Sequence, residues 1–178
     1  GKLEELKNLL KEYEILSMED VNCNIEVVED GKTFEENAKK KAKEIYDITK
    51  IPCIADDSGL CIDYFNGWPG VYTARFLRPN STKEEKNNYI LEKMKNLKGE
   101  DRKAIVKCVI VYYNGIDFTI GTGVIEGKIA LNKRGNNGFG FDEIFELENG
   151  KTYAEISKEE KNNISHRRKA IVDLKNKI

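Results

Sequence analysis

No apolar run in this chain approaches the roughly 20 residues needed to span a bilayer, and nothing at its start reads as a secretory signal peptide. Histidine occurs once, and the four cysteines, Cys23, Cys53, Cys61 and Cys108, show no CxxC spacing, which argues against a zinc site. Three of those cysteines lie in apolar, strand-like runs and read as small buried hydrophobes of a reducing, cytoplasmic compartment. Neither charge is in excess. The 30 basic and 31 acidic residues are interspersed and leave a net charge of −1, which argues against non-specific duplex binding. A small anionic ligand held by a few local cations stays compatible with that balance. Internal repeats and low-complexity linkers are also missing. The 178 residues, 39% of them hydrophobic, suffice for one domain or two small lobes.

What is present alternates helical and strand patterns. Leu3, Leu6, Leu9 and Leu10 recur at helical spacing, so the chain opens inside a helix. Ile25–Val28 reads as a short strand. Thr33 to Glu36 has the form of a capping box, and a helix burying Phe34, Ala38, Ala42 and Ile45 follows to about Thr49. Strands are expected over 52–56 and 60–65, then a turn at Gly67, Pro69 and Gly70 and a short helical piece over 72–75. Ser81 and Thr82, each with Glu three residues on, start a helix to about Leu97. The run 104–113 is the strongest strand signal, and Asn114-Gly115 marks a hairpin to a partner over 117–122 that continues to Ala130. A Gly/Asn-rich loop spans 132–140, and a last strand 142–147. Ser157 and Ser165 cap two final helices, the second ending near Asn176. The class is α/β with a long mixed sheet.

The most informative stretch is Ala55-Asp56-Asp57-Ser58-Gly59-Leu60. Its flanking apolar runs place two acids and a hydroxyl at the tip of a buried strand. Adjacent buried carboxylates repel one another and need a cation, a basic partner or an open strand end. A metal ligand with a general base is one reading, since a divalent cation there would hold phosphate oxygens. A plain Asp/Ser/Gly turn and the paired acids of a phospho-acceptor receiver domain are the others. Glu36 is explained locally by its capping box; the sharper reading aims it at the same metal as Asp57.

Three further constellations carry chemistry. In Ser165-His166-Arg167-Arg168-Lys169, a Ser165 cap would set potentially cationic residues in a first helical turn, where the dipole favours anions. A bound anion would resolve that conflict, with Lys161 one turn earlier joining it. The alternative is a solvated basic face on one longer helix. In Gly135 to Asp142, Phe139 is placed to stack on a base and Asp142 to accept hydrogen bonds from ring NH groups. The alternative is a hairpin connection with Phe139 and Phe141 in the core. Gly67 to Tyr72, with Trp68, reads either as turn packing or as a ligand wall or subunit contact.

Taken in order, Thr33-Phe34-x-Glu36-Asn37-Ala38, Ala55 to Leu60, Gly67-x-Pro69-Gly70-x-Tyr72-x-x-Arg75, Gly138 to Asp142, Glu159-Glu160-Lys161 and Ser165-His166-Arg167 resemble the inosine/xanthosine triphosphate pyrophosphatases over nearly the whole chain. The resemblance implies a single domain over 1–178 of two α/β lobes around a cleft, with a long mixed central sheet and flanking helices. It implies Mg²⁺-dependent hydrolysis of deaminated purine nucleoside triphosphates (ITP, dITP, XTP) to monophosphate and pyrophosphate by a cytoplasmic homodimer, with no nucleic-acid or membrane partner. Asp57 would be general base and metal ligand and Glu36 a second metal ligand; in the mechanism that follows, Asp57 or Asp56 orients the attacking water. Lys2, Ser58, Lys161, His166 and Arg167 would contact the nucleotide. Phe139 would stack on the purine, with Gly138, Gly140, Phe141 and Asp142 shaping the base pocket.

Two departures from the family pattern stand out. Lys2 is similar to the last residue of a Thr/Ser-x-Asn-x-x-Lys phosphate motif whose first members, with the strand before them, are missing from the sequence. A truncated form that binds nucleotide without catalysis is therefore the alternative expectation. Glu143 stands where the family commonly has Pro, which puts a charge beside the base loop. The pocket's preference for a 6-oxo purine edge would follow from the cost of leaving adenine's amino group unpaired, about 1–3 kcal/mol.

Overall fold

The computed structural model describes residues 2–178, the side chain of Lys2 excepted. The elements run α1 (Lys2–Leu9), α2 (Phe34–Thr49), β1 (Cys53–Ile62), β2 (Trp68–Pro69), α3 (Lys83–Lys93), β3 (Lys103–Tyr113), β4 (Phe118–Ile129), β5 (Phe145–Glu146), α4 (Lys158–Ile164) and α5 (His166–Lys175). The strands form one sheet in the order β2-β1-β3-β4-β5. The β1/β2 and β4/β5 pairs are antiparallel, with Cys61 opposite Pro69 and Lys128 opposite Glu146.

Capping chemistry sets most helix starts. Thr82 and Glu85 form a reciprocal capping box at α3, and Ser157 and Glu160 exchange the same two bonds at α4. At α2 the box is only half made. Thr33 accepts from the Glu36 amide at 3.1 Å, but the Glu36 carboxylate accepts from the Lys32 amide at 2.6 Å. Asn114 turns the β3–β4 hairpin by accepting the amides of Ile116 and Asp117 at 2.8 Å each.

Four expectations change. The two strands expected on either side of the acid pair are one unbroken strand, so Asp56 and Asp57 lie within β1 and not at its tip. Ile25–Val28 is irregular: a β pattern without a neighbouring strand cannot complete its ladder hydrogen bonds. Helix α3 stops at Lys93, and the last strand shortens to Phe145–Glu146.

The chain divides into two compact units, residues 1–57, 108–123 and 165–178 in the first and 58–107 and 124–164 in the second. In the first, α1 and α5 close a core of Leu10, Cys108, Ile110, Ala170, Ile171 and Leu174. Helix α5 lies directly on β4: a Cβ on Gly123 would stand 2.0 Å from the His166 carbonyl oxygen, so only a glycine admits this approach. A cavity of about 840 Å³ in this unit runs between α1, α2 and residues 51–56, the last four of them in β1. In the second unit, Leu60, Ile62, Ile90, Ile125, Phe145 and Tyr153 belong to the core. There Arg102 is buried. It donates to the carbonyls of Ile129, Met94, Leu97 and Ala130 at 2.6–3.1 Å.

Candidate active site

In the first unit the strand alternation separates the two acids. Successive side chains of a strand point to opposite faces, and the partners follow that rule. The Cys53 thiol donates to the Ala42 carbonyl of α2 at 2.9 Å. Asp57 faces the same helix, accepting from Asn37 Nδ2 at 2.9 Å with Lys41 Nζ at 3.9 Å. Asp56 faces the other way, where Arg167 Nη2 of α5 donates to its Oδ2 at 3.3 Å. Each carboxylate thus faces a different cation, Lys41 being shared with Glu29 at 2.5 Å and Arg167 with Glu5 at 3.9 Å, and the adjacency that would set the two acids against each other in sequence is removed by the pleat.

The N-terminus of α5 is built as an N-cap and not as a continuous helix. Ser165 accepts from the Arg168 amide at 3.0 Å and donates to Glu5 Oε1 of α1 at 2.8 Å. His166 and Arg167 are both buried, which rules out the solvated basic face. The cationic first turn is offset in part from within the chain, since Arg167 is flanked by Asp56 and by Glu5, 3.9 Å away.

In the second unit the Gly138–Asp142 loop is tied by its own carboxylate. Asp142 Oδ2 accepts from the Phe139 amide at 2.8 Å and pairs with Lys161 Nζ, and the Asp142 carbonyl accepts from the Ala154 amide at 3.0 Å. Gly138 has φ +77°, and a Cβ there would lie 1.9 Å from Asp142 Oδ2. Phe139 is 60% exposed, with the Lys161 ammonium 4.3 Å from its ring centroid, a cation–π distance. Phe141 turns inward and stacks on Phe76 at 5.9 Å. Of the two aromatics, then, Phe139 alone is presented to solvent. Glu143 is neutralised by Lys83 at 2.5 Å, which holds its carboxyl below the usual range. Trp68 packs against Phe65, Phe76 and Tyr89, the turn-packing reading of its motif.

The structure therefore groups Asp56, Asp57, His166 and Arg167 with α2 and α5 of the first unit. It groups Phe139, Gly140, Phe141, Asp142 and Lys161 in the second, to which Ser58 also belongs. Glu36 sits in the first turn of α2, its carboxylate held by the Lys32 amide. The Lys2 side chain lies outside the described residues. Among the described residues no three His, Cys, Asp or Glu side chains form a metal cluster.

Sequence reasoning missed Asn37, Lys41 and Glu5 as site residues. A signal for Asn37 existed: it lies on the stripe of Phe34, Ala38 and Ala42, where an amide is out of place unless it has buried partners. It has two, since Asn37 Oδ1 also accepts from the Gly31 amide at 2.8 Å.

The profile of the Ham1 family matches residues 1–177. The chain belongs to the Ham1 family. A relative from Thermoanaerobacter sp. (strain X514) named dITP/XTP pyrophosphatase is 44% identical over 180 residues, covering 99% of this chain and 91% of its own length. One of the same name from Geobacter sulfurreducens is 42% identical, covering 100% and 92%. Among solved structures, a HAM1 protein from Coxiella burnetii superposes with a TM-score of 0.90 at 39% identity, over 98% of this chain and 91% of that one. The Staphylococcus aureus Ham1 protein gives 0.89 at 38%, over 97% and 90%. The α/β fold is that of the Ham1 proteins.

Proposed function

We propose that this chain hydrolyses deaminated purine nucleoside triphosphates, dITP, XTP and ITP, to the monophosphate and pyrophosphate. The observation that carries the reading is Asp57 fixed on β1 by Asn37 and Lys41 in a chain 44% identical to a dITP/XTP pyrophosphatase. Asp57 takes the proton of a water that attacks the α-phosphorus. The new oxygen–phosphorus bond forms as the bond to the bridging oxygen breaks, and pyrophosphate leaves. Such chemistry is governed by positioning and charge neutralisation. His166 and Arg167 supply donors for phosphate oxygens, and Asp56 acts through Arg167 as a positioning residue. Phe139 offers its exposed ring to the base, and Lys161 places a cation at the same loop.

The oxygen donors of Glu36 and Asp57 fit Mg²⁺, which commonly takes one or two carboxylates and completes its shell with water and substrate phosphates. When bound, Mg²⁺ would neutralise charge on the phosphate oxygens. A homodimer and a cytoplasmic place are proposed on the family resemblance alone; a solution mass of twice the 20.4 kDa chain in light scattering checks the former. Among the described residues no helix is long and apolar enough to cross a membrane. Turnover of ITP by Asp57→Asn at a near-wild-type rate would sink the catalytic assignment.

A further inference from the structure

One polar side chain in the second unit is left unexplained by the chemistry above. Asn87 on α3 is fully buried. Its Nδ2 donates to the Gly140 carbonyl at 3.2 Å and reaches Glu143 Oε2 at 3.4 Å. Its Oδ1 is buried without a hydrogen-bond partner among the described residues. One turn earlier on the same helix face, Lys83 pairs with the other oxygen of Glu143 at 2.5 Å. The two α3 side chains therefore grip the loop on either side of Phe141 and Asp142, at Gly140 and at Glu143.

A buried amide with an unused acceptor is a poor packing residue. It forgoes hydration on one atom, and an apolar side chain of the same shape, next to the buried Ile90 on this helix, would avoid that cost. What Asn87 gains in return is a second anchor for a loop that the Asp142–Lys161 pair ties to α4 and the Ala154 amide holds at the Asp142 carbonyl. The Asp142 carboxylate also accepts from the Phe139 amide, which shapes the loop, and Asn87 and Lys83 anchor that shape to α3. Gly140 has φ +59°, so its peptide is set in a conformation that the amide contact fixes directly.

We propose that Asn87, with Lys83 and Glu143, forms a clamp that positions the Gly138–Glu143 loop and so sets the enzyme's selectivity among purine bases. Asn87 is a positioning residue here and does not touch substrate. The selectivity half of the inference rests on the reading of Phe139 and Asp142 as base-recognising; the anchoring half does not. Loosening the clamp leaves the phosphate chemistry of the other unit's residues in place and degrades the fit of the base. The effect therefore belongs in KM and in discrimination, not in kcat.

The test uses the full chain with Asn87→Leu, which keeps the shape and removes the amide, and Glu143→Gln, which keeps the packing and removes the ion pair. Amide hydrogen exchange reads the anchoring; steady-state release of pyrophosphate from ITP, XTP, GTP and ATP reads selectivity. Expected for Asn87→Leu are faster exchange confined to residues 138–143, and a KM for ITP raised about tenfold, the weight of roughly one hydrogen bond. A kcat within about twofold and a narrowed ITP-to-GTP ratio of kcat/KM should accompany them. Glu143→Gln should show the same pattern more weakly, and it decides the matter if Asn87→Leu fails to fold. Unchanged loop exchange in a folded variant overturns the clamp. Altered exchange with unchanged KM and ratio overturns its role in selectivity, as does a kcat loss equal for all four nucleotides. A wild-type chain that hydrolyses none of them overturns the functional reading and the selectivity claim together, while exchange still decides the anchoring.

Discussion

Replacing Asn37 by leucine removes the bond that holds Asp57 to α2, and a second to the Gly31 amide, while keeping the side chain's shape. Two groups lose their partner: the Asp57 carboxylate, 2.9 Å from Nδ2, and the Gly31 amide, 2.8 Å from Oδ1. A hydrogen bond to a charged group contributes about 1.5–3 kcal/mol, and an orphaned buried donor costs about 1–3 kcal/mol. Asp57 keeps Lys41 nearby and Gly31 is only half-buried, so the expected sum is about 2–4 kcal/mol, at the lower end of simple addition. For a chain of this size that is a fall in Tm of about 5–15 °C. Turnover should fall as well, by about tenfold or more, because the carboxylate loses the donor that aims it. Urea and thermal unfolding measure the first effect and ITP turnover the second. A folded Asn37→Leu protein with Tm within about 2 °C of wild type and undiminished turnover would refute the argument that Asn37 holds Asp57.

Other predictions bear on the framework and on pH. Gly123→Ala drives a methyl group against the His166 carbonyl; α5 must shift, and phosphate affinity should weaken more than the far-UV circular dichroism changes. Arg102→Met leaves buried carbonyls at Ile129, Met94, Leu97 and Ala130 without their donor. A loss of about 3–5 kcal/mol in urea unfolding is expected, and Arg102→Lys, with no fork to span them, should recover little of it. Burial pushes the Cys53 thiol up to about 11 from an ordinary 9.0. The unfolded chain therefore releases that proton at lower pH than the folded one, and stability falls as pH rises from about 9 towards 11. The wild-type urea midpoint should drop more steeply over that window than that of Cys53→Ala; parallel curves would contradict the assignment.

Much of this fold is written in local signals. The cap at Ser165, the boxes at Thr82 and Ser157 and the Asn114-Gly115 hairpin depend on residues within a few positions of one another, and the structure reproduces each. Features set by distant partners were not legible. Ile25–Val28 alternates like a strand, but alternation says nothing about whether a neighbour strand exists. Asp56-Asp57-Ser58-Gly59 looks like a turn because of its composition, yet it runs as strand. The helices α2 and α5 supply a partner on each face of β1, and that fact lies over 100 positions away at Arg167. Glu36 satisfied the capping pattern in sequence, whereas its carboxylate bonds to the Lys32 amide and not to that of Thr33. The exposed Phe139 and the inward Phe141 are equivalent in a Gly-Phe-Gly-Phe string. They differ only because Phe76 waits on one side and solvent lies on the other.

The most direct test of the account is release of pyrophosphate and monophosphate from ITP, XTP, GTP and ATP by this 178-residue chain, with Mg²⁺ and with EDTA. The account predicts metal-dependent, equimolar release of both products, with ITP and XTP well ahead of ATP and GTP and the activity lost in Asp57→Asn. Release of orthophosphate in place of pyrophosphate, equal turnover of all four nucleotides, or tight binding of ITP with no turnover would contradict it.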